Sequence, residues 1–133
     1  MSNVSRSSAP VLVVGAGPVG LTVANLLAAQ GVSVLVVERS PETSNEAKAI
    51  SLDAESLRTF QSVGLAAQIE QVVVPGTGTR YYDRRDRALF QARGGRPYQL
   101  GYAFKNQFAQ PELEDVLAGV LARQRADVQP RRG

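Results

Sequence analysis

The sequence predicts an α/β chain built on a parallel sheet, and three observations carry that prediction. The run VLVV at residues 11–14 is apolar and rich in β-branched side chains, and it ends in a glycine-rich turn. Apolar residues then fall at helical spacing between Pro18 and Gln30. A second apolar run, Ser33 to Val37, closes on Glu38 and Arg39. Strand, turn, helix and strand in succession make one βαβ unit with short connections.

Each element has its own justification. Val11–Val14 reads as a strand buried on both faces, as central parallel strands are. In the helix, Val19, Val23, Leu26 and Leu27 are spaced for one face, and Gly31 stands where a helix-ending glycine belongs. SPETSNEAKA is polar and loop-like. Asp53–Val63 reads as a helix, with Asp53 as N-cap, Leu57, Phe60 and Val63 facing inward, and Gly64 as its stop. Leu65–Val74 is ambiguous, helical at first and strand-like in VVV, and Pro75-Gly76-Thr77-Gly78 is expected to break the chain. TRYY and ALFQA, either side of Asp83–Arg87, form a β-hairpin, and GGRPYQLGYAFKNQF is an aromatic-rich loop or short strand. From Pro111 a helix is expected, with Glu112, Glu114 and Asp115 near its positive N-terminal dipole. Leu113, Val116, Leu117, Val120 and Leu121 give that helix an apolar stripe, and the tail ADVQPRRG has no assignable structure.

Composition narrows the function classes. The 133 residues suit one modest domain with an ordinary core. No apolar run of about 18 residues is present, and the polar N-terminus lacks the apolar core of a secretory signal. No membrane partner is therefore expected, and the cytoplasm is the expected compartment. Cysteine and histidine are both absent, which excludes disulfides and thiolate catalysis and removes the commonest general base. No metal site is expected. Residues 1–79 carry four basic and six acidic side chains, and residues 80–133 carry eleven and six, within a net charge of +3. The basic half is interleaved with Asp83, Asp86, Glu112, Glu114 and Asp115 and carries no nucleic-acid motif, so it reads as solvated surface.

The turn GAGPVG fits G-x-G-x-x-G in the required context, directly after a strand and opening a helix. Gly15 permits the tight turn, Gly17 lets the backbone approach a pyrophosphate, and Gly20 lets the helix close on the strand. Ala16 and Pro18 complete the turn, and the helix N-terminus offers N–H groups to the diphosphate. Glu38 follows Gly20 by 18 residues, where an acid holds the ribose hydroxyls. The unit is thus Rossmann-like. An acid there argues against a 2′-phosphate, but the pattern does not separate NAD from FAD.

Three blocks carry a family resemblance: GAGPVGLTVANLLAAQGVSVLVVER, then KAISLDAESLRTFQSVGL, then FAQPELEDVL. Together, over roughly residues 10–125, they resemble the N-terminal part of FAD-dependent aromatic-ring monooxygenases of the p-hydroxybenzoate hydroxylase type, in the branch containing 3-(3-hydroxyphenyl)propionate hydroxylase. The resemblance selects FAD as cofactor. It implies that Arg39 lies near the adenosine, that Lys48 stands where relatives carry an arginine reaching the diphosphate, and that Gln110 contacts the ribityl region. It implies NAD(P)H as co-substrate and a small aromatic substrate, hydroxylated with one atom of O2 while the other leaves as water, in aromatic-compound catabolism. No residue matches a catalytic acid or base of that family.

Relatives are several times longer. The resemblance therefore implies a partial FAD-binding domain over residues 10–125, a fragment of a glutathione-reductase-type fold with a small β-hairpin insertion. A flexible N-terminus (1–9) and a tail (126–133) flank it. Relatives continue past ADV as a strand, whereas VQPRRG carries a proline and two arginines, which suggests truncation. A sheet that lost a strand would expose an edge and apolar faces, predicting weak binding of the ADP half alone. Two other readings remain open here: a stand-alone nucleotide-binding module without redox activity, and a piece of an NAD-dependent dehydrogenase.

Overall fold

The computed structural model describes residues 10–40, 48–123 and 127–130, the last four by their backbone. The chain divides into two compact units, one of residues 1–44 with 114–133, the other of residues 45–113. The expected N-terminal segment 1–9 lies outside the described residues. Among the described residues, no helix is long and apolar enough to cross a membrane.

The first unit holds the βαβ element: β1 (Val11–Val14), α1 (Pro18–Ala29) and β2 (Val34–Glu38). β1 and β2 run parallel with Val11 opposite Val34 and Val14 opposite Val37. A further parallel strand, β8 (Asp127–Pro130), lies on the other side of β2, in the tail to which the sequence assigns no structure. Its proline is tolerable because β8 is an edge strand and Pro130 sits at its end. The sheet order is β1-β2-β8, so β2 is central.

That order corrects the expectation that β1 is buried on both faces. Leu12 is 57% exposed and Val14 79%, whereas Val34 and Val36 of β2 are 3% and 0% exposed. On α1 the expected face is also displaced. Val19 and Val23 are exposed, and the buried residues are Leu21, Ala24 and Asn25. Asn25 explains part of that rotation. Its Nδ2 donates to the Leu21 carbonyl at 2.8 Å and to the Leu117 carbonyl at 3.0 Å, so the helix turns its only amide inward. Past the end of α1, Gly31 takes a φ of +75°, donates to Ala28 O at 2.9 Å and releases the chain toward β2.

The second unit contains β3 (Ser51–Asp53), α2 (Ala54–Ser62), α3 (Ala66–Ile69), β4 (Val73–Gly76), β5 (Thr79–Tyr82), β6 (Ala88–Ala92) and β7 (Lys105–Phe108). Asp53 caps α2 as expected, accepting from the Ser56 N–H at 2.7 Å. That bond is the main cause holding its carboxyl below the usual value. The ambiguous stretch 65–74 resolves into α3 and the start of β4. β4 continues through Pro75 and Gly76, so the expected break comes later. Pro75 is accommodated because β4 is an edge strand in the antiparallel sheet β3-β7-β4.

β5 and β6 form the expected hairpin, with Tyr81 stacked on Phe90 at 4.4 Å between ring centroids. Asp83 organises its turn, accepting from the N–H groups of Arg85 and Arg87 and pairing with the Arg87 guanidinium at 2.8 Å. The final helix, α4, spans Gln110–Arg123 and starts one residue before the expected Pro111. Leu113, Leu117, Val120 and Leu121 are buried along it.

Candidate cofactor site

The turn between β1 and α1 is built by three glycines with different physical reasons. Gly15 has a φ of +103°, in the region that side chains disfavour. A methyl group on Gly20 would collide with the Gly15 carbonyl oxygen, so this position must be bare for the helix to start where it does. Gly17 is different. A methyl group there would meet nothing nearer than Glu114 Oε1 at 3.9 Å, so no part of the described protein requires a glycine. Bare backbone that the protein's own packing does not require is what close approach of a diphosphate needs.

The helix start fits the same ligand. Gly17 is the N-cap of α1 and makes no side-chain capping bond, Pro18 occupies the first turn, and no acidic residue lies in that turn. The backbone N–H groups and dipole at this end therefore face no carboxylate from their own helix.

Glu38 closes the turn from the end of β2. Its Oε2 accepts from the Ala16 N–H at 2.8 Å, and its Oε1 accepts from the Ser40 N–H at 2.9 Å. These bonds, the Ala16 one first, hold its carboxyl below the ordinary value. Each carboxylate oxygen has a second lone pair, so two hydroxyls can still be accepted. The structure thus brings Gly15, Ala16, Gly17, Pro18, Gly20 and Glu38 together in one unit, with Arg39 exposed next in the chain.

Lys48 and Gln110 belong to the second unit. Gln110 is 8% exposed, and its Oε1 accepts from the backbone N–H groups of Lys48 at 3.1 Å and Ala49 at 2.8 Å. The side chain thereby anchors the segment before β3 to the start of α4. Lys48 itself is exposed.

One residue near the turn was missed from sequence. Glu114, grouped there with the solvated acids, is buried in the first unit within contact range of Gly17. Its place in the apolar run LEDVL was the available signal: it follows Leu113 and precedes Leu117 by three residues, beside the buried stripe.

Comparison with known proteins agrees with this geometry. The model of a family described as FAD binding domain matches residues 8–133. The chain is 40% identical over 119 residues to a 3-(3-hydroxy-phenyl)propionate/3-hydroxycinnamic acid hydroxylase of Comamonas testosteroni, covering 90% of this chain and 20% of that protein. It spans about a fifth of the length of the curated relatives it matches, 20% and 21% in two of them. Among solved structures it superposes on p-nitrophenol 4-monooxygenase from Pseudomonas putida with a TM-score of 0.80 at 22% identity, covering 91% of this chain and 31% of that one. It superposes on aklavinone-11 hydroxylase, determined with FAD and aklavinone, with a TM-score of 0.70 at 26% identity, covering 91% and 25%.

Proposed function

Because the chain belongs to the FAD binding domain family and its cofactor is FAD, we propose that it supplies the adenosine-diphosphate grip of a flavin-dependent aromatic hydroxylase. The single observation that carries this reading is Gly17: a bare backbone position that its own surroundings do not require, at a helix start with no acidic residue in its first turn. In this reading Gly15, Ala16, Gly17, Pro18 and Gly20 receive the diphosphate. Glu38, pre-oriented by the Ala16 N–H, accepts the ribose hydroxyls, and Arg39 lies toward the adenine.

Lys48 and Gln110 keep the roles that the resemblance implies, charge toward the diphosphate and a contact to the ribityl chain. A lysine supplies charge without the bidentate fork of an arginine. The arrangement is that of the glutathione-reductase-type fold, with β5–β6 as an insertion and a partial FAD domain over residues 10–125. When bound, FAD would supply the chemistry by which NAD(P)H and O2 hydroxylate an activated phenolic ring, with one oxygen atom in the product and the other in water. In this reading this chain's own residues bind and orient the cofactor.

Titration of the purified chain with FAD, ADP and NAD tests the reading. FAD and ADP are expected to bind within about tenfold of each other, since both present the half that the turn recognises, and hydroxylation of a phenol is not expected from the chain alone. NAD binding more tightly than FAD would overturn the assignment.

A further inference from the structure

We propose that a cleft in the second unit binds a small planar ring that carries an anionic group. The cleft lies within residues 45–113 and shares no residue with the glycine turn, so the inference is independent of the cofactor assignment.

Four residues form its walls. Arg93, Gly94, Tyr98 and Phe104 border a cavity of about 260 Å³ on one side and one of about 400 Å³ on the other. Those volumes suit one ring and its substituents, at the lower end of small-molecule sites. All four residues come from the segment between β6 and β7. A methyl group on Gly94 would overlap the Phe104 side chain, so a bare residue there lets the segment lie against that ring. Phe104 itself is exposed. A large ring left at the wall of a cavity is a surface on which a second ring can stack.

The charges give the cleft a direction. The smaller cavity is completed by Gly76, Thr77 and Arg96, and no carboxylate borders it. Arg96 is held in place: its guanidinium lies 5.4 Å from the centre of the Tyr98 ring, and its Nη2 donates to the Tyr98 hydroxyl at 3.3 Å. Among the described residues, neither Arg93 nor Arg96 is paired with a carboxylate, whereas Arg87 in the hairpin turn is paired with Asp83. Two such guanidinium groups on an acid-free cavity present planar forks that match a carboxylate or a phosphate ester. The larger cavity also carries Asp53 and Glu55. Their carboxylates repel an anion from that side. The anionic group is therefore directed toward Arg93 and Arg96, with the ring over Phe104.

A carboxylate and a phosphate ester are the two sources of that chemistry, and the experiment separates them. The chain has no tryptophan, so tyrosine fluorescence reports on Tyr98 and Tyr102 at the cleft. Benzoate and phenyl phosphate are titrated into the chain with and without excess ADP. At least one is expected to bind with a Kd of about 1 mM or tighter, unchanged by ADP, and the tighter of the two names the anion. Benzamide keeps the ring without the charge, and acetate and inorganic phosphate keep the charge without the ring. All three should bind at least about tenfold more weakly. Arg93→Gln and Arg96→Gln should each weaken the probe by about tenfold or more, and Arg84→Gln in the hairpin turn should not. Arg93 and Arg96 are exposed, so the urea midpoints of their variants should match the native chain.

No saturable binding of either probe up to about 10 mM would overturn the proposal. So would binding that survives both arginine substitutions, or benzamide or the ringless anions held as tightly as the probes. Displacement of the probe by ADP would place it on the glycine turn and overturn the proposal as well. The comparison of probes on the native chain decides the ring and the charge whatever the substitutions do to stability. Probes that fail while ADP still binds would leave the cofactor assignment standing, so the two failures are distinguishable.

Discussion

Residues 11–14 and residues 34–37 are the same tetrapeptide, VLVV, and the two copies lie side by side in register. One is largely exposed and the other largely buried. At register-matched positions, Val34 is 3% exposed while Val11 opposite it is 42% exposed, and Val37 is half-buried while Val14 opposite it is 79% exposed. Nothing local separates them, since composition, propensity and periodicity are identical. The difference is position: among the described residues β2 has a strand on each side and β1 has one. Burial of a parallel strand is therefore a property of the sheet order and not of the strand.

Two substitutions, one in each strand, give the largest effect. Val36→Asp places a carboxylate where no solvent reaches, and should cost at least about 4 kcal/mol or abolish folding. Val14→Asp, in the same tetrapeptide sequence, should change the stability of the isolated chain by less than about 0.5 kcal/mol. Urea unfolding of both variants checks this. Equal costs would mean that β1 is covered in solution.

The same comparison shows where sequence reasoning succeeds. The βαβ unit, the Asp53 cap and the hairpin at Asp83–Arg87 were legible because each is fixed by local chemistry. A glycine turn, an N-cap carboxylate and a turn flanked by strand formers act within a few residues. What was not legible depends on distant partners. The inward face of α1 is set in part by Asn25 reaching Leu117, 92 residues away, and not by the apolar spacing of Val19 and Val23. β8 forms despite Pro130 because β2 offers it a free edge. For the candidate site, the turn and Glu38 were legible through their spacing. That Gln110 holds the Lys48 and Ala49 backbone was not, because a bond across about sixty residues leaves no local pattern.

The joint between the two VLVV strands gives the next largest effect, and it separates folding from binding. In Gly20→Ala the new methyl meets the Gly15 carbonyl, a backbone atom that no rotamer change can move. A cost of about 2–3 kcal/mol is expected, toward the upper end for overpacking. Gly17→Ala meets only ordinary contact, at a φ of −76° that any residue adopts, so its cost should stay below about 1 kcal/mol. Its effect is expected on the ligand, with ADP affinity falling about tenfold or more as the methyl holds the diphosphate off the backbone. Thermal unfolding and calorimetric titration of the two variants decide it. Loss of stability in Gly17→Ala with unchanged ADP affinity would remove this glycine from the site.

Glu38 gives the smallest effect and ties the two strands together, since it ends β2 and accepts from the Ala16 N–H just beyond β1. Those bonds favour the charged form, so the folded-state value lies below the ordinary 4.5. Between the two values the unfolded chain binds more protons than the folded one, and stability rises with pH there. The contribution is complete above the ordinary value and is lost as pH falls through the folded one. The site is partly open to solvent, so the gain should be under about 1 kcal/mol. Asp53 and Asp83 are lowered in the same direction and tilt the whole curve similarly. The informative quantity is thus the difference between the native chain and Glu38→Gln, which cannot ionise at this position. Urea midpoints measured from about pH 3 to about pH 6 should converge at the acid end and separate toward neutrality. A constant separation across that range would mean that the Ala16 and Ser40 bonds do not distinguish the carboxylate from an amide, and that the turn is held by its glycines alone.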